Sequence, residues 1–475
     1  MPQVLKNPHL NSGAELNPIE HDQLRWKKLR SYYFEELKRY LRFLILPGSS
    51  VMELGCRTGD VLASLGPSRG LGIDSNSEAI RLAKSKYSNL EFRTQEYGSF
   101  SLEEKFDYVV LSDAIGYVQD IQSVFTQLQT VCRSDTRVVI IYFNYFWAPL
   151  LKFAEFLRLR QKRPVQHWLP LDAIENLLHL SDFEVVRRNY RILCPFKIPV
   201  ISSFLNRVVA NLPFFWKLCV NEVIVARLLT KRKAVSDVSC SIVIPCRNEK
   251  GNIENAIKRT PRFSKQVEFV FIEGHSRDGT YEECVRMQAV FPELSIRVFR
   301  QEGAGKADAI RKGFAEAKND ILMILDADLT TPPEDLPKFY DAITSGKGEF
   351  VNGSRFVYQM EKQAMRVLNL MANKFFSRAF SYLLEQPLRD TLCGTKVLWR
   401  DDYEKIKRGR SYFGEFDPFG DFDLLFGAAR LNLKIVEIPV HYKERTYGTT
   451  QIHRFRHGWL LFKMTIFALR KLKFV

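Results

Sequence analysis

The sequence has no long apolar run and little cysteine. Nowhere does it reach about 18 uninterrupted apolar residues, so a simple membrane-spanning helix is not expected. The opening MPQVLKNPHLNSGAELNP is polar and contains proline, which does not read as a secretory signal. The eight cysteines are scattered, with no CxxC pair and no Cys/His cluster at zinc spacing. That pattern argues against structural zinc and for free thiols in a reducing compartment, so a cytoplasmic protein is expected. Acidic residues are outnumbered, 54 Asp and Glu against 70 Lys and Arg, giving a formal net charge of +16. The excess favours anionic partners: nucleic acid, anionic membrane or phosphorylated substrates. The basic residues are dispersed and no RNA-binding motif accompanies them, so nucleic acid is not the expected partner.

The 475 residues, 46% hydrophobic and 26% charged, suit two or three globular domains, each half long enough to bury a core. Residues 23–46 show helical spacing. Short apolar runs at 51–55, 70–74, 107–113 and 137–143 then alternate with amphipathic stretches at 76–86 and 120–132. Alternation of this kind predicts a mostly parallel sheet covered by helices, an α/β architecture. Runs at 183–186 and 220–229 could close that sheet as an antiparallel edge pair. The apolar stretch from Phe196 to Val220, broken by Lys197, Asn206, Arg207, Asn211 and Lys217, reads as a cap or interfacial region. The polar segment 230–239, TKRKAVSDVS, is the expected domain boundary. A second alternation follows, with strands at 240–245, 268–273, 295–300, 320–328 and 434–442. Its helices are expected near 250–259, 304–318, 332–344, 362–385 and 455–471.

The fourth strand of the second half ends in Asp326-Ala327-Asp328. Two carboxylates two residues apart at a strand terminus are expected to share a side. Alone they would repel, and a hard divalent cation with oxygen ligands removes that penalty. Such an ion could bridge a diphosphate and neutralise a departing nucleotide. A solvated acidic turn is the alternative. Other motifs sit where strands hand over to loops: Ile244-Pro245-Cys246-Arg247-Asn248-Glu249, Glu273-Gly274-His275-Ser276-Arg277-Asp278-Gly279-Thr280, Gly303-Ala304-Gly305-Lys306-Ala307-Asp308, Asn352-Gly353-Ser354-Arg355 and Asp390-Thr391-Leu392-Cys393-Gly394-Thr395-Lys396. Ligands of open α/β sheets collect at such edges.

Together these motifs resemble the family-2 inverting glycosyltransferases with the GT-A fold, and most of all the dolichyl-phosphate mannosyltransferase-like group, over about 240–455. The resemblance implies a nucleotide sugar donor, a lipid-phosphate or glycan acceptor, and Mg²⁺ or Mn²⁺. It places Pro245, Arg247, Glu249 and Glu273 along the nucleotide. Lys306 and Asp308 would lie near the phosphates and the base or ribose, with Arg355 and Arg445 also on the donor. Asp326 and Asp328 would face the sugar diphosphate, with the metal mainly on Asp328. The acidic run 413–423 supplies Asp423, and second Asp421, for the catalytic acidic role; an acidic first helical turn is the alternative. The chain departs from the group at Gly274-His275, where a second acid is usual, at Thr330, where Gln is frequent, and at Gln451, where Lys is frequent. Arg445, His453, Arg454 or Arg456 would then have to hold phosphates. The final helix, expected over 456–475, mixes Trp459, Phe462 and Ile466 with Lys463, Arg470, Lys471 and Lys473. Peripheral contact with the inner face of a membrane and packing against the domain explain it equally well.

In the first half, Val51-Met52-Glu53-Leu54-Gly55-Cys56-Arg57-Thr58-Gly59-Asp60 reads as strand, glycine turn and helix start, and Gly72-Ile73-Asp74 ends the next strand with an acid. This segment resembles the class I S-adenosylmethionine-dependent methyltransferases, a Rossmann-like sheet, over about 46–230, preceded by a helical extension over 1–45. The resemblance implies S-adenosyl-L-methionine as cofactor. Glu53, Gly55 and Gly59 would sit at its methionine end, Asp74 at the ribose and Gln95 at the adenine. Arg57 replaces the middle glycine of the motif, and the acid expected after the third strand is missing, because Arg93-Thr94-Gln95-Glu96 stands there. Gln166-His167-Trp168-Leu169 could line an acceptor site or form a buried cluster. The chain thus reads as a bifunctional enzyme, with a glycosyltransferase carrying an inert methyltransferase-like module as the alternative. Fusion would raise the effective concentration of one half's product at the other.

Overall fold

Alternating side chains along the strands of the described residues form three apolar layers. The computed structural model describes residues 18–112, 114–157, 169–234, 238–358, 367–412, 420–445, 447 and 454–474. The first half runs α1 (Pro18–Leu44), β1 (Ser50–Leu54), α2 (Asp60–Ser64), β2 (Arg69–Asp74), α3 (Ser77–Lys86), β3 (Glu91–Thr94), β4 (Tyr108–Ser112), α4 (Ile121–Leu128), β5 (Arg137–Phe143), α5 (Ala148–Phe156), α6 (Leu171–Leu180), β6 (Phe183–Arg191), α7 (Ile201–Arg207) and β7 (Asn221–Leu228). Its sheet has the order β3-β2-β1-β4-β5-β7-β6. The first five strands are parallel, and β7 runs antiparallel between β5 and β6. The expected antiparallel edge pair is present, with β6 longer than its apolar run.

The second half runs β8 (Cys240–Cys246), α8 (Lys250–Lys258), β9 (Val267–Glu273), α9 (Thr280–Val290), β10 (Ser295–Arg300), α10 (Lys306–Glu316), β11 (Ile321–Ile324), α11 (Leu336–Thr344), β12 (Phe350–Ser354), α12 (Val367–Leu384), β13 (Lys396–Trp399), α13 (Arg400–Arg408), α14 (Asp421–Arg430), β14 (Ile435–Pro439) and α15 (Arg454–Ala468), which ends in a π-turn (Leu469–Lys473). Its sheet order is β10-β9-β8-β11-β13-β12-β14, with β13 antiparallel to both neighbours. Helix α9 and the short strand β13 were not expected from periodicity. Strand β11 stops at Ile324, so Asp326 and Asp328 lie in the loop beyond it, where strand alternation does not apply.

Period-two alternation explains the layers. In β4, Val109 and Leu111 enter an outer core under α4, while Tyr108 and Val110 face the opposite way. In β11, Ile321 and Met323 enter a second outer core under α11, while Leu322 and Ile324 face the opposite way. The inward sets of both sheets belong to one continuous middle core. Leu41 and Leu44 of α1, Phe380 of α12 and Phe422 and Phe426 of α14 fill it. The sequence suggests one core per half; the structure adds a third that belongs to both, and α1 is part of it rather than an appendage.

Buried charge crosses the same layer. Arg137 of β5 donates to Glu349 at 2.8 Å and to the Asn432 carbonyl at 2.7 Å. Arg232 lies in the expected boundary segment and pairs with Glu349 at 3.0 Å and Asp402 at 2.7 Å, pinning that segment. Arg187 and Lys473 both pair with Glu385, at 2.8 and 2.6 Å. All eight cysteines are free. Among the described residues no helix is long and apolar enough to cross a membrane.

Candidate active sites

The tips of β8, β9 and β11 hold strained backbone. Asn248, His275 and Leu329 adopt φ of 56, 59 and 54°, a left-handed conformation that is costly for residues other than glycine and that clusters at functional loops. Ser276 donates its backbone N–H to Glu273 at 2.5 Å, and Arg277 donates to the Asn248 side chain at 2.9 Å, so two tips are tied together.

Around these tips carboxylates and cations alternate. Lys306, at the first turn of α10, pairs with Asp326 at 2.5 Å. Burial alone would lower the Lys306 pKa, but the Asp326 and Asp421 carboxylates reverse that and raise it. Burial likewise works against ionised Asp326, yet Lys306 holds its pKa below the usual range. Gly394 comes so close that an added Cβ would lie 2.0 Å from Asp326 Oδ2 and 2.6 Å from Lys306 Nζ. Only glycine lets the β13 approach loop sit against this pair. Arg445 spans Asp328, at 2.6 Å, and Glu249, at 3.1 Å. Asp328 also accepts from the Thr330 hydroxyl at 2.9 Å. Burial raises the Glu249 pKa despite Arg445, and neighbouring Asp328 adds to the rise. The aspartates of the Asp326-Ala327-Asp328 motif thus reach separate cations.

Pro245 is half-buried and Arg247 exposed beside them at the β8 tip. Asp308 caps the preceding loop by accepting from Gly303 N–H at 2.9 Å. Arg355 is held by buried Asp390 through two hydrogen bonds, at 2.7 and 2.8 Å. On α14, Asp421 and Asp423 diverge. Asp421 pairs at 3.1 Å with Lys396, a fully buried lysine of β13, and lies within electrostatic reach of Lys306. Asp423 turns to Arg410 at 2.7 Å and Arg311 at 3.6 Å. Lys396 closes the Asp390–Lys396 motif but received no role from sequence; a lone lysine beside the apolar run Val397-Leu398-Trp399 was the available signal. Residues 413–419, 448–450, Gln451 and His453 lie outside the described residues, as do the side chains of Arg454 and Arg456.

The first sheet carries a second site at the same kind of edge. Glu53 is buried and accepts from Leu62 N–H at 3.0 Å. Burial pushes its pKa up to about 8. Gly59 caps α2 in the left-handed region, at φ 72°. Arg57 has φ 51°, the left-handed region that glycine enters without steric cost. Its N–H donates to Asp74 Oδ2 at 2.8 Å, and Asn76 N–H donates to Oδ1 at 2.9 Å. Gly55 faces Ala114, where an added Cβ would meet the alanine methyl at 3.0 Å. Gln95 follows β3 next to Asp74, and its Oε1 is buried with no hydrogen-bond partner. Asp113 and 166–168 lie outside the described residues.

Comparison with known proteins agrees with this division. Residues 241–407 match the model for glycosyl transferase family 2, and residues 25–188 match a methyltransferase domain model. A dolichol-phosphate mannosyltransferase of Pyrococcus furiosus is 34% identical over 119 residues, 25% of this chain and 33% of that protein. Glycosyltransferase AglJ of Haloferax volcanii is 28% identical over 48% of this chain and 70% of its own length. An undecaprenyl-phosphate 4-deoxy-4-formamido-L-arabinose transferase of Pseudomonas fluorescens is 29% identical over 50% of this chain and 67% of its own. The chain therefore spans a third of the first relative and about two thirds of the other two. An S-adenosylmethionine-dependent methyltransferase of Clostridium acetobutylicum aligns in structure with 13% identity and a TM-score of 0.29, over 44% of this chain and 96% of that one.

Proposed function

We infer, for a chain that joins a methyltransferase domain to a family-2 glycosyltransferase domain, a bifunctional enzyme of lipid-linked glycan assembly. In this reading the second half transfers a sugar, with inversion, from a nucleotide diphosphate to a polyprenyl phosphate or glycan. The first half methylates a related substrate. The relatives named for dolichol phosphate and undecaprenyl phosphate support the acceptor class. The observation that carries the reading is the alternating charge at the β11 tip, Lys306 with Asp326 and Arg445 with Asp328.

The donor set at that tip is carboxylate oxygen without thiol or imidazole, which fits Mg²⁺ or Mn²⁺. Among the described residues no group of three or more His, Cys, Asp and Glu gathers. Asp326 and Asp328 would therefore hold the ion, with phosphate oxygens completing its shell. When bound it neutralises charge on the leaving diphosphate. Lys306 and Arg445 already sit on the two aspartates, placed to turn to the phosphates when the carboxylates find another partner. A phosphate acceptor is already anionic and needs no proton removed. Asp421, close to Lys306, then orients that lysine, whereas a hydroxyl acceptor would require it as base.

The first half fits S-adenosylmethionine. Gln95 Oε1 can accept from an exocyclic amine, Asp74 retains lone pairs for ribose hydroxyls, and Glu53 can meet the methionine ammonium. The cofactor supplies an electrophilic methyl group. A non-catalytic module is the second reading, favoured by Arg57; the left-handed turn that Arg57 adopts favours a working site. Calorimetry of the full chain with S-adenosylmethionine separates the two, and absence of heat up to millimolar cofactor would reject methylation. For the second half, GDP-, UDP- and dTDP-sugars are screened for hydrolysis with Mg²⁺ or Mn²⁺, comparing the parent with Asp328→Ala. Equal turnover by both would reject the metal assignment. The reading places the protein in the cytoplasm, at the inner membrane face.

A further inference from the structure

The C-terminal edge of the first sheet carries two insertions with aromatic side chains that neither half buries. One follows β5 and includes α5; the other, 192–220, joins β6 to β7 and includes α7. Phe143 and Arg191, the last residues of β5 and β6, both pair with Asn221, so the insertions leave the sheet side by side at its β7 end. They form one surface. Trp147 donates to the Leu218 carbonyl at 2.9 Å, and Asn144 donates to the Lys217 carbonyl at 2.8 Å. Strand β5 is parallel to β4 and β4 to β1, so the edge that β5 leaves is also the one carrying the Gly55 loop.

That surface faces outward. Phe146, Phe153 and Phe156 of the first insertion are 61, 56 and 81% exposed. Phe204 and Phe214 of the second are 57 and 89% exposed, and Trp216 is 42% exposed. Phe214 and Val200 adopt φ of 77 and 65°, conformations unfavourable for bulky residues, while holding their side chains in solvent. Contiguous exposed aromatics on this scale mark an interaction face. Its charge selects the partner: residues 192–220 contain Lys197, Arg207 and Lys217 and no acid, and α5 adds Lys152 against a single acid, Glu155. The end of the last helix meets the sheet beside the second insertion, where buried Arg191 donates to the Lys473 carbonyl at 3.3 Å. Residues 454–474 also carry basic residues and no acid, with Trp459 60% exposed.

We propose that this edge of the methyltransferase half docks on an anionic lipid bilayer, aromatic side chains inserted and lysines at the headgroups, so that its methyl acceptor is an amphiphile resident in that membrane. The proposal rests on the lipid-directed reading above and extends it to the other half. Aromatic residues interleaved with basic ones suit the headgroup boundary, where apolar burial and anionic attraction add. A protein partner would more often be met by mixed charge.

Flotation of the full chain with vesicles tests this. The parent should float with vesicles of phosphatidylcholine mixed with phosphatidylglycerol and far less with phosphatidylcholine alone. Phe156→Ser/Phe204→Ser/Phe214→Ser should weaken partition at least about tenfold with an unchanged melting temperature, because these side chains are 81, 57 and 89% exposed. A second variant, Trp459→Ser/Phe462→Ser, probes the last helix. Absence of parent flotation would overturn the proposal, as would unchanged flotation of the triple variant or a loss confined to the α15 variant. A parent dimer dissolved by the triple variant would assign the face to a second copy and also overturn it. Sugar transfer to a short-chain, water-soluble lipid phosphate reports the glycosyltransferase reading separately: it should persist in the triple variant, and its absence in the parent would sink that reading whatever the vesicles show.

Discussion

Arg137, in the first sheet, places its guanidinium 2.8 Å from Glu349, in the second half, and both side chains are 3% exposed. The pair is part of a wider junction: Arg227 reaches the Gly346 carbonyl at 2.7 Å, and Arg232 closes on Glu349 from the connecting segment. Removing one partner leaves buried charge uncompensated. Glu349→Gln should destabilise the protein by about 3–5 kcal/mol, measured by urea unfolding. Both halves should unfold in one transition, seen by probes placed in each; two separated transitions would contradict a shared core.

Acid should loosen the same junction. Burial opposes ionisation of Glu349, but Arg137, Arg232 and Arg227 overcome it and bring its pKa down to about 2. A depressed carboxylate contributes stability above its unfolded pKa, ~4.3, and that contribution is lost as pH falls through the folded value. Melting temperature should therefore decline between about pH 5 and pH 2, and Glu349→Gln should flatten the decline. An equally steep decline in the variant would remove Glu349 from the account.

Asp421 and Asp423 should separate by role. Asp421→Asn is expected to lower sugar transfer by about 100-fold per folded molecule, since its carboxylate acts on Lys306. Lys396 would still donate to the Cys393 carbonyl, at 2.6 Å. Asp423→Asn deprives Arg410 and Arg311 of their carboxylate and should chiefly lower the melting temperature. Transfer rates beside melting curves decide it; the reverse pattern would restore Asp423 to first place.

Cofactor affinity should depend on pH. Burial holds Glu53 protonated up to about 8, and only the ionised form can pair with the methionine ammonium. Binding of S-adenosylmethionine should tighten as pH rises through that value, and Glu53→Gln should abolish the trend. The raised pKa has the opposite effect on the fold: its stabilising contribution is full below ~4.3 and is lost as pH rises through about 8. A pH-independent affinity in the parent would place Glu53 away from the cofactor.

Much of this was legible in the sequence because strand alternation and strand-tip motifs are local. Runs such as Tyr108–Ser112 and Cys240–Cys246 carry their own period, and Gly55, Asp74 and Asp326 mark turns directly. The Asp326-Ala327-Asp328 signal drew its strength from the other strand-tip motifs around it, and Asp326 stands two residues beyond the end of β11 at Ile324. What it could not give was the direction of each carboxylate, which depends on Lys306 and Arg445, 20 residues before Asp326 and 117 after Asp328. Helix α9 was missed because its apolar stripe is narrow, with Cys284 and Met287 as its buried apolar side chains. The joint core was invisible for the same reason as the carboxylate directions. Arg137 and Glu349 lie 212 residues apart, and nothing local distinguishes them from surface charges.

Segment 230–239 has the composition of a hinge, yet Arg232 anchors it between Glu349 and Asp402. A shuffling event that exchanged one catalytic half for a foreign counterpart would inherit an arginine with no mate. The two carboxylates that hold that arginine both belong to the second half, so a replacement for that half must bring its own acid to the same place.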